Sequence, residues 1–198
     1  MTDYCTWQEV AAYLNVGGTG AQEVLTRNVQ AAMDVVHQHC GWRFDTTDAT
    51  YRFHADHPYD LDLGDLPLAD EPTSVTVDAD EDGVYETTVS AAAYELRPVN
   101  GQLDGRAWPY TSVHRLTGEW PLGTTGRALV QVVGSFGWPS VPAAVVEATV
   151  QLAGWIHTNK AAPNLAEFVP ADLRPPVQLL GPYRRPGRIL AVGVGRPR

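Results

Sequence analysis

The sequence predicts an α+β protein in which a β-rich segment is inserted into a helical part. Apolar residues recur with helical spacing near the start of the chain and again over residues 142–160. Between these stretches, short runs rich in β-branched and aromatic residues alternate with Gly, Pro and Asp turn signals. We therefore expect an N-terminal helical hairpin over 1–48, an antiparallel β-rich insertion over 49–135, a third helix within 136–160, and an extended Pro/Arg-rich arm over 161–198.

The N-terminal hairpin is predicted from helix-start signals and glycine stops. Thr6–Glu9 forms a capping box ahead of an apolar stripe, and Gly17–Gly18 is expected to end this first helix. A second box, Thr19–Gln22, is expected to begin a longer helix that ends at Gly41. The apolar stripes, with that of the third helix, supply the predicted core of the helical part: Trp7, Leu25, Val29, Met33, Val36, Leu152 and Ile156.

The β-rich insertion is predicted from short periods of two. Residues 59–63 alternate apolar residues with Asp, and residues 50–53 are rich in residues that favour strands. Residues 74–77 and 84–89 flank an acidic turn, which is typical of a β-hairpin. Further short strands are expected at 94–97, 110–116 and 128–133.

The third helix and the segment after it have contrasting signals. Pro142 suits the first turn of a helix, where its missing N–H does no harm, and the helix should close at Lys160. From residue 161 onward, prolines recur and neither a helical period nor a strand alternation is sustained. We therefore expect an extended arm that orders only when the protein assembles with a partner.

Composition and charge limit the functions open to the chain. The 198 residues carry a net charge of −9. Residues 1–90 have a balance of −14 and residues 91–198 a balance of +5. An acidic body repels nucleic acid, whereas the arginines that follow Asp172 favour an anionic partner. Because there is no bilayer-length apolar run and no signal-peptide pattern, we expect no membrane association and synthesis in the cytosol. Cys5 and Cys40 are expected to be free thiols.

The acidic turn at 78–83 has the opening of a calcium loop. Its spacing, Asp78-x-Asp80-x-Asp82-Gly83, places alternate carboxylates before a glycine. A complete loop needs a bidentate Glu at its twelfth position, which is Val89 here. A solvated hairpin turn explains the same residues, because Asp and Gly tolerate turn geometry. A calcium-dependent binding module is therefore the alternative function. The leading interpretation of the sequence predicts no metal site.

No residue set predicts catalysis or a cofactor. The histidines and cysteine in His37-Gln38-His39-Cys40 diverge around a helix, and His54-x-x-His57 lacks further ligands, so zinc is disfavoured. The sequence has no G-x-S-x-G elbow, P-loop or dinucleotide fingerprint. We predict a protein that is not an enzyme, with no catalytic residues and no cofactors. An unrecognised hydrolase ranks last among the alternatives.

The order of these features resembles the head–tail connector (adaptor) proteins of tailed bacteriophages. The resemblance covers about residues 6–165. It rests on the helix at 6–16, Ala31-Ala32 and Cys40-Gly41-Trp42-Arg43-Phe44 in and after the longer helix, and the segments 66–77, 94–98, 106–110, 129–133 and 134–145. Gly134-Ser135-Phe136-Gly137-Trp138-Pro139 stands at the entry to the last helix.

The resemblance implies a structural protein of the virion neck, made in the host cytoplasm during assembly. Such adaptors form a closed ring, commonly of about twelve copies, beneath the portal. They line the channel through which double-stranded DNA passes without sequence-specific binding, and they offer a docking surface to later neck and tail-completion proteins. For docking to an acidic portal or neighbour we predict Arg184, Arg185 and Arg188.

Overall fold

A computed structural model of the chain describes residues 3–17, 19–99, 102–103, 106–124, 126–163 and 171–185. The chain divides into two units: a helical unit formed by Met1–Phe44 and Val141–Arg198, and a β unit formed by Asp45–Ser140. The α+β class predicted from the sequence is confirmed. The β unit extends a few residues beyond the predicted insertion at each end, because its first and last strands pair with each other and continue past the predicted limits.

The helical unit is built on the packing of two long helices, to which two shorter helices are added. Helix α2 packs along α3, α1 packs against both, and α4 packs mainly on α3. Within the described residues, no helix combines the length and apolar character that crossing a membrane requires. The helices are α1 (Trp7–Leu14), α2 (Gln22–Cys40), α3 (Ala143–Asn159) and α4 (Arg174–Leu180). Single 3₁₀ turns lie at Thr19–Ala21, Ala171–Leu173 and Gly181–Tyr183.

The capping box predicted for α1 is confirmed. The backbone N–H of Thr6 donates to Glu9 Oε2 at 2.6 Å, and the backbone N–H of Glu9 donates to Thr6 Oγ1 at 3.3 Å. The first of these bonds holds the pKa of Glu9 below its ordinary value. The helix ends earlier than the glycines predicted, at Leu14, because Asn15 adopts the left-handed conformation with φ of 55°.

The start predicted for α2 is wrong, and its end is confirmed. The helix begins at Gln22 with Ala21 as its N-cap and without a side-chain capping bond, so the Thr19–Gln22 box does not form. The 3₁₀ turn at Thr19–Ala21 leads directly into the helix and takes the place of a cap. At the other end, Gly41 has φ of 75° and its N–H donates to the His37 carbonyl at 2.8 Å.

The predicted core of the helical unit is buried except at one position. Trp7, on the first turn of α1, is only half-buried. Close packing of α1 against α3 depends on Gly154, where an added Cβ would lie 2.9 Å from the Tyr13 ring. The other predicted core residues are fully buried or nearly so: Leu25, Val29, Met33, Val36, Leu152 and Ile156.

The expectation of an extended arm is corrected for residues 171–185, which fold onto the helical unit. Leu173, Leu180 and Tyr183 are buried, and Trp155 Nε1 donates to Asp172 Oδ2 at 2.6 Å. Recurring prolines argue against a helix in this segment, but Pro175 and Pro176 occupy the first turn of α4, where a missing N–H costs nothing. Residues 164–170 and 186–198, the rest of that arm beyond Pro163, lie outside the described residues.

The β unit contains two antiparallel sheets and a separate hairpin. The first sheet has the order β1-β9-β3-β4, the second has the order β2-β8-β5, and β6 pairs with β7. The last of these pairs was not predicted from the sequence. The strands are β1 (Thr47–Phe53), β2 (Asp60–Asp62), β3 (Ser74–Val77), β4 (Thr87–Thr88), β5 (Tyr94–Arg97), β6 (Gln102–Leu103), β7 (Arg106–Ala107), β8 (Ser112–Arg115) and β9 (Val130–Phe136).

One apolar core serves both sheets of the β unit. Strand β9 alternates buried and half-buried residues along its length, as expected for a strand with one inward face. It pairs along seven positions with β1, from Thr47 opposite Phe136 to Phe53 opposite Val130. Leu68 bridges to both Tyr110 and Phe136, which joins the two sheets. The hairpin predicted around the acidic turn is confirmed by the β3–β4 pairing.

Both cysteines are free, as predicted, and both are buried. Burial raises the pKa of each thiol to about 12, so at pH 8 only about one thiol in ten thousand is ionised. We expect alkylation by iodoacetamide at pH 8 to be at least ~1,000-fold slower in the native protein than after denaturation in urea. Because the unfolded thiols ionise near pH 8.5, the folded state should lose stability as the pH rises from about 9 towards 12. Rapid native alkylation would contradict this burial.

Candidate interaction surfaces

The predicted docking arginines that the structure describes lie at the C-terminal end of α2. The backbone N–H of Arg185 donates to the Cys40 carbonyl at 2.8 Å, which satisfies one of the last carbonyls of that helix. The Arg185 guanidinium lies 5.6 Å from the centre of the buried Trp42 ring, so this side chain is partly structural. Arg184 is exposed, whereas Arg188 lies outside the described residues.

An aromatic cluster fixes the segment that carries these arginines. Phe44 makes edge-on contacts with Tyr4 at 5.9 Å and with Tyr183 at 6.2 Å between ring centres. The Phe44 N–H donates to the Tyr4 hydroxyl at 2.6 Å, and the same hydroxyl hydrogen-bonds to His37 Nε2. Chain segments from the start, the middle and the end of the helical unit therefore meet at one point. Sequence reasoning missed the helical spacing of Leu173, Pro176, Leu180 and Tyr183, which could have revealed it.

Arg184 places an exposed positive charge at this end of α2. His39 is 8% exposed, and its Nδ1 has no hydrogen-bond partner among the described residues. Burial is the main cause that lowers the pKa of His39, and the nearby Arg184 guanidinium lowers it further. The imidazole is therefore neutral at pH 7, and the exposed Arg184 is left as a charge that a partner can reach.

The negative charge of the protein is concentrated in one unit. Asp45–Ser140 carries 16 acidic and 5 basic residues, a balance of −11. The two segments of the helical unit together carry 7 acidic and 9 basic residues, a balance of +2. The division by sequence halves hid this, because the β unit spans both halves. An acidic partner would therefore be repelled by the β unit and tolerated by the helical unit.

The acidic turn between β3 and β4 brings four carboxylates together. One oxygen from each of Asp78, Asp80, Asp82 and Glu86 lies within 4.8 Å of the others. Oxygen ligands in this number suit a hard cation such as Ca²⁺. Glu86 was missed from the sequence, because the calcium-loop spacing directs attention to Val89 instead.

Asp78 also has a structural role within this turn. It is 1% exposed, and its two carboxylate oxygens accept the backbone N–H groups of Asp82 at 3.1 Å and Gly83 at 2.8 Å. This arrangement agrees with the hairpin-turn interpretation of the acidic residues, because a carboxylate that accepts two backbone N–H groups fixes a tight loop.

The Asp78→Ala variant should be destabilised by about 3 kcal/mol, because two amides lose a charged acceptor. The matched change Asp80→Ala removes an exposed carboxylate from the same turn and should cost no more than ~0.5 kcal/mol. Urea denaturation of the two variants beside the wild type measures both values. Equal stability of the two variants would show that the amide bonds of Asp78 contribute nothing.

A groove lies beside β5, at the edge of the second sheet. It has a volume of about 270 Å³ and is lined in part by Glu71, Tyr94, Glu95, Leu96 and Val99. The groove combines two carboxylates with apolar and aromatic side chains that are half-buried or exposed. This mixture suits a chain segment that carries both cationic and aliphatic side chains.

A charged network covers part of the same sheet. Asp60 lies opposite His114 in the β2–β8 register, and His114 Nδ1 is 2.7 Å from Asp60 Oδ1. Arg97 Nη1 and His57 Nδ1 each lie 3.6 Å from an oxygen of Asp60. The hydrogen bond from His114 is the main cause that lowers the pKa of Asp60. Because all these groups are partly exposed, they contribute little to stability and mainly set the charge of this face.

The chain has the fold of proteins found in particle necks. It superposes on a chain from the neck of an empty GTA particle computed with C6 symmetry, with a TM-score of 0.59 and 19% sequence identity over 96% of this chain and 92% of that chain. A chain from the neck of the native GTA particle computed with C12 symmetry gives a TM-score of 0.56 and 17% identity over 96% of this chain and 94% of that chain.

A chain from the virion of a native gene transfer agent (GTA) particle is similar over 88% of both chains, with a TM-score of 0.54 and 17% identity. No protein-family model matches this chain, and no curated protein matches it. The likeness therefore lies in the fold, and at that level the predicted resemblance to a virion neck protein is confirmed.

Proposed function

We propose that this chain is a structural head-to-tail connector (adaptor) that forms a ring beneath the portal in the neck of a virion. The observation that supports this most strongly is the shared fold with a chain from a GTA particle neck, which extends over 96% of this chain and 92% of the other. Residues of both units are therefore included in the match. Because one fold can serve several functions, the role itself is tested by the deletion experiment described below.

The proposed ring is closed and cyclic, with about twelve copies of the chain. The necks in which similar chains occur were computed with C6 and C12 symmetry, and twelve copies satisfy both. The other proposed partners are the portal protein and a downstream neck or tail-completion protein. The chain acts without catalysis or cofactors, in the virion after assembly in the host cytoplasm.

The charge of the β unit suits a protein beside a DNA channel. Its balance of −11 repels phosphates, so double-stranded DNA can pass without sequence-specific binding or retention. The cationic groups proposed for docking are Arg184, Arg185 and Arg188, and the exposed Arg184 is the best placed of the described pair.

Deletion of the gene in the host that produces the particles tests this function. A connector is needed to join the two halves of the virion, so we expect DNA-filled heads and unattached tails by electron microscopy. Gold-labelled antibody against the chain should mark the neck of wild-type particles. Intact tailed particles from the deletion strain would contradict the proposal.

Charge reversal at Arg184 tests the docking role separately. The Arg184→Glu variant should slow neck assembly, because rim charges act mainly on association rate and register. Its melting temperature should match that of the wild type, since the side chain is exposed. Arg27→Glu, an exposed change of equal charge on α2, is the control. An assembly rate equal to that of the control would contradict the role of Arg184.

A second candidate function is calcium binding at the acidic turn. The observation that favours it is the meeting of Glu86 with the three aspartates, which completes a set of four carboxylates. A ligand that binds only the folded state raises its stability by mass action. A melting temperature that rises with millimolar CaCl₂ in the wild type, and does not rise in Glu86→Gln, would support this function. No rise in the wild type would exclude it.

A further inference from the structure

We propose that residues 186–198 of one copy bind in the groove beside β5 on the β unit of a neighbouring copy. The inference rests on the proposed function, because it assumes a ring in which copies lie side by side. It adds to that function a named receptor surface and a named occupant. Four features support it: the apolar wall of the groove, its charge, the edge of β5 that no described strand covers, and the composition of the segment.

The apolar part of the groove favours an aliphatic side chain. The groove has a volume of about 270 Å³. Its apolar wall includes Leu96 and Val99, and Val99 is 57% exposed. An aliphatic side chain that enters the groove would therefore remove apolar surface from water on both partners.

The charge of the groove favours an arginine-bearing partner. Glu71 is exposed and has no ion-pair partner among the described residues. Glu95 Oε2 lies 3.8 Å from Arg97 Nε, a long and partly exposed pair. Burial is the main cause that raises the pKa of the Tyr94 hydroxyl, and the nearby Glu71 carboxylate raises it further. Both effects agree with the position of Tyr94 in the groove wall. An incoming guanidinium could therefore pair with Glu71 without displacing another cation.

The backbone of β5 offers hydrogen bonds to an incoming strand. In the second sheet β5 pairs with β8 on one side, and no strand among the described residues pairs with its other side. An edge strand of this kind directs alternate N–H and C=O groups outward, where an extended peptide can join the sheet. Three residues of β5, Tyr94, Glu95 and Leu96, line the groove, and Tyr110, which precedes β8, lines it as well.

The composition of residues 186–198 matches these requirements. The segment contains Arg188, Arg196 and Arg198, no acidic residue, and the apolar run Ile189-Leu190-Ala191-Val192-Gly193-Val194. It follows Arg185, whose backbone is fixed to the end of α2. When extended at ~3.3 Å per residue, such a segment reaches ~40 Å. That reach exceeds the length of β5 several times and leaves residues to bridge two copies.

A ring explains why the occupant comes from a neighbouring copy. Each copy supplies one such segment and one such groove. If the segment of each copy binds the groove of the next, the same contact repeats around a closed ring and fills every groove. The β unit, with a balance of −11, attracts the arginines from any direction. A contact of this kind would tie neighbours together without enlarging the main interface.

Cross-linking of the full chain tests the proposal. The test variant carries Val99→Cys with Leu190→Cys and is treated with a short bismaleimide, both as purified rings and in necks isolated from particles. The native thiols, which are buried and have pKa values of about 12, should not react. We expect a ladder of dimers and higher species. The control, Val84→Cys with Leu190→Cys, uses a residue of similar exposure, 58%, near the acidic turn and should give no ladder.

The results that would overturn the proposal are distinct from those that would overturn the proposed function. Rings that form without Val99–Leu190 cross-links, cross-links within a single chain, or an equally strong ladder from the control would exclude this contact and leave the ring intact. If the chain forms no ring and is missing from particle necks, the proposed function fails, and this inference fails with it.

A charge exchange provides an independent test. The Arg188→Glu variant should raise the protein concentration at half-assembly by about tenfold, the effect expected from loss of one good charge pair. Adding Glu71→Arg should restore most of that loss, whereas adding Asp80→Arg, an exposed change of equal charge in the acidic turn, should not. Equal rescue by both, or none by Glu71→Arg, would show that Arg188 does not pair with Glu71.

Discussion

The Gly137→Ala variant is expected to lose more than ~4 kcal/mol of folding free energy, which places it among the most damaging single substitutions. An added Cβ would lie 2.0 Å from the Asp45 carbonyl oxygen, a separation that no relaxed structure contains. The backbone itself has φ of 124°, a conformation that residues with a side chain rarely adopt. The Gly137 N–H also donates to the Pro67 carbonyl at 2.7 Å, so the loop cannot simply move away.

Substitutions at two other glycines distinguish steric overlap from an unfavourable backbone conformation as the cause of this loss. Gly64 has φ of 60° and open space around its Cβ position, so Gly64→Ala should cost only the ~1–2 kcal/mol of a left-handed conformation. Gly20 has open space and no such conformation, so Gly20→Ala should be neutral or slightly stabilising. Guanidinium denaturation followed by circular dichroism measures all three. A loss at Gly137 no larger than that at Gly64 would contradict the role of the Asp45 contact.

The Leu180→Ala variant should destabilise the free protein by about 3 kcal/mol, because Leu180 is fully buried against the helical unit. Leu25→Ala, in the core of α2, should have a comparable cost. Gln178→Ala, an exposed position of the same short helix, should stay within ~0.5 kcal/mol of the wild type. Urea denaturation of each purified variant gives the values.

This experiment also decides between two accounts of the C-terminal region. If residues 171–185 ordered only on assembly, as the sequence suggested, Leu180→Ala would leave the free protein unchanged. The structure predicts the opposite, since the segment is held by the Tyr183–Phe44 contact and by the bond from Trp155 to Asp172. Limited proteolysis of the free protein should accordingly cut more readily in Leu180→Ala than in the wild type.

Local signals in the sequence predicted the elements well. The Thr6–Glu9 box, the stop at Gly41 and the hairpin around the acidic turn each depend on residues close in the chain. These signals can therefore be recognised from a few neighbouring residues in the sequence. The failures at Thr19–Gln22 and at Pro175–Pro176 have one cause: a capping or breaking residue has two possible roles, and tertiary packing selects between them.

The candidate surfaces were harder to predict because they join distant residues. The groove beside β5 brings Glu71 to Tyr94, and the aromatic cluster brings Tyr4 to Phe44 and Tyr183. No spacing rule connects such positions. The arginines near the end of the sequence were visible as a charge pattern, but the surface that could receive one of them was not.

The pairing of β1 with β9 makes the β unit an insertion that could be exchanged for another. Because Thr47 lies opposite Phe136 in that ladder, the first and last strands of the β unit lie side by side, with the Cα atoms of these two residues about 5 Å apart. For the helices on either side, the entropic cost of carrying it is close to that of a tight loop. A graft with similarly spaced ends, or a short hairpin, could stand in its place while the helical framework stays as it is. Such exchange gives one scaffold a route to new neighbours.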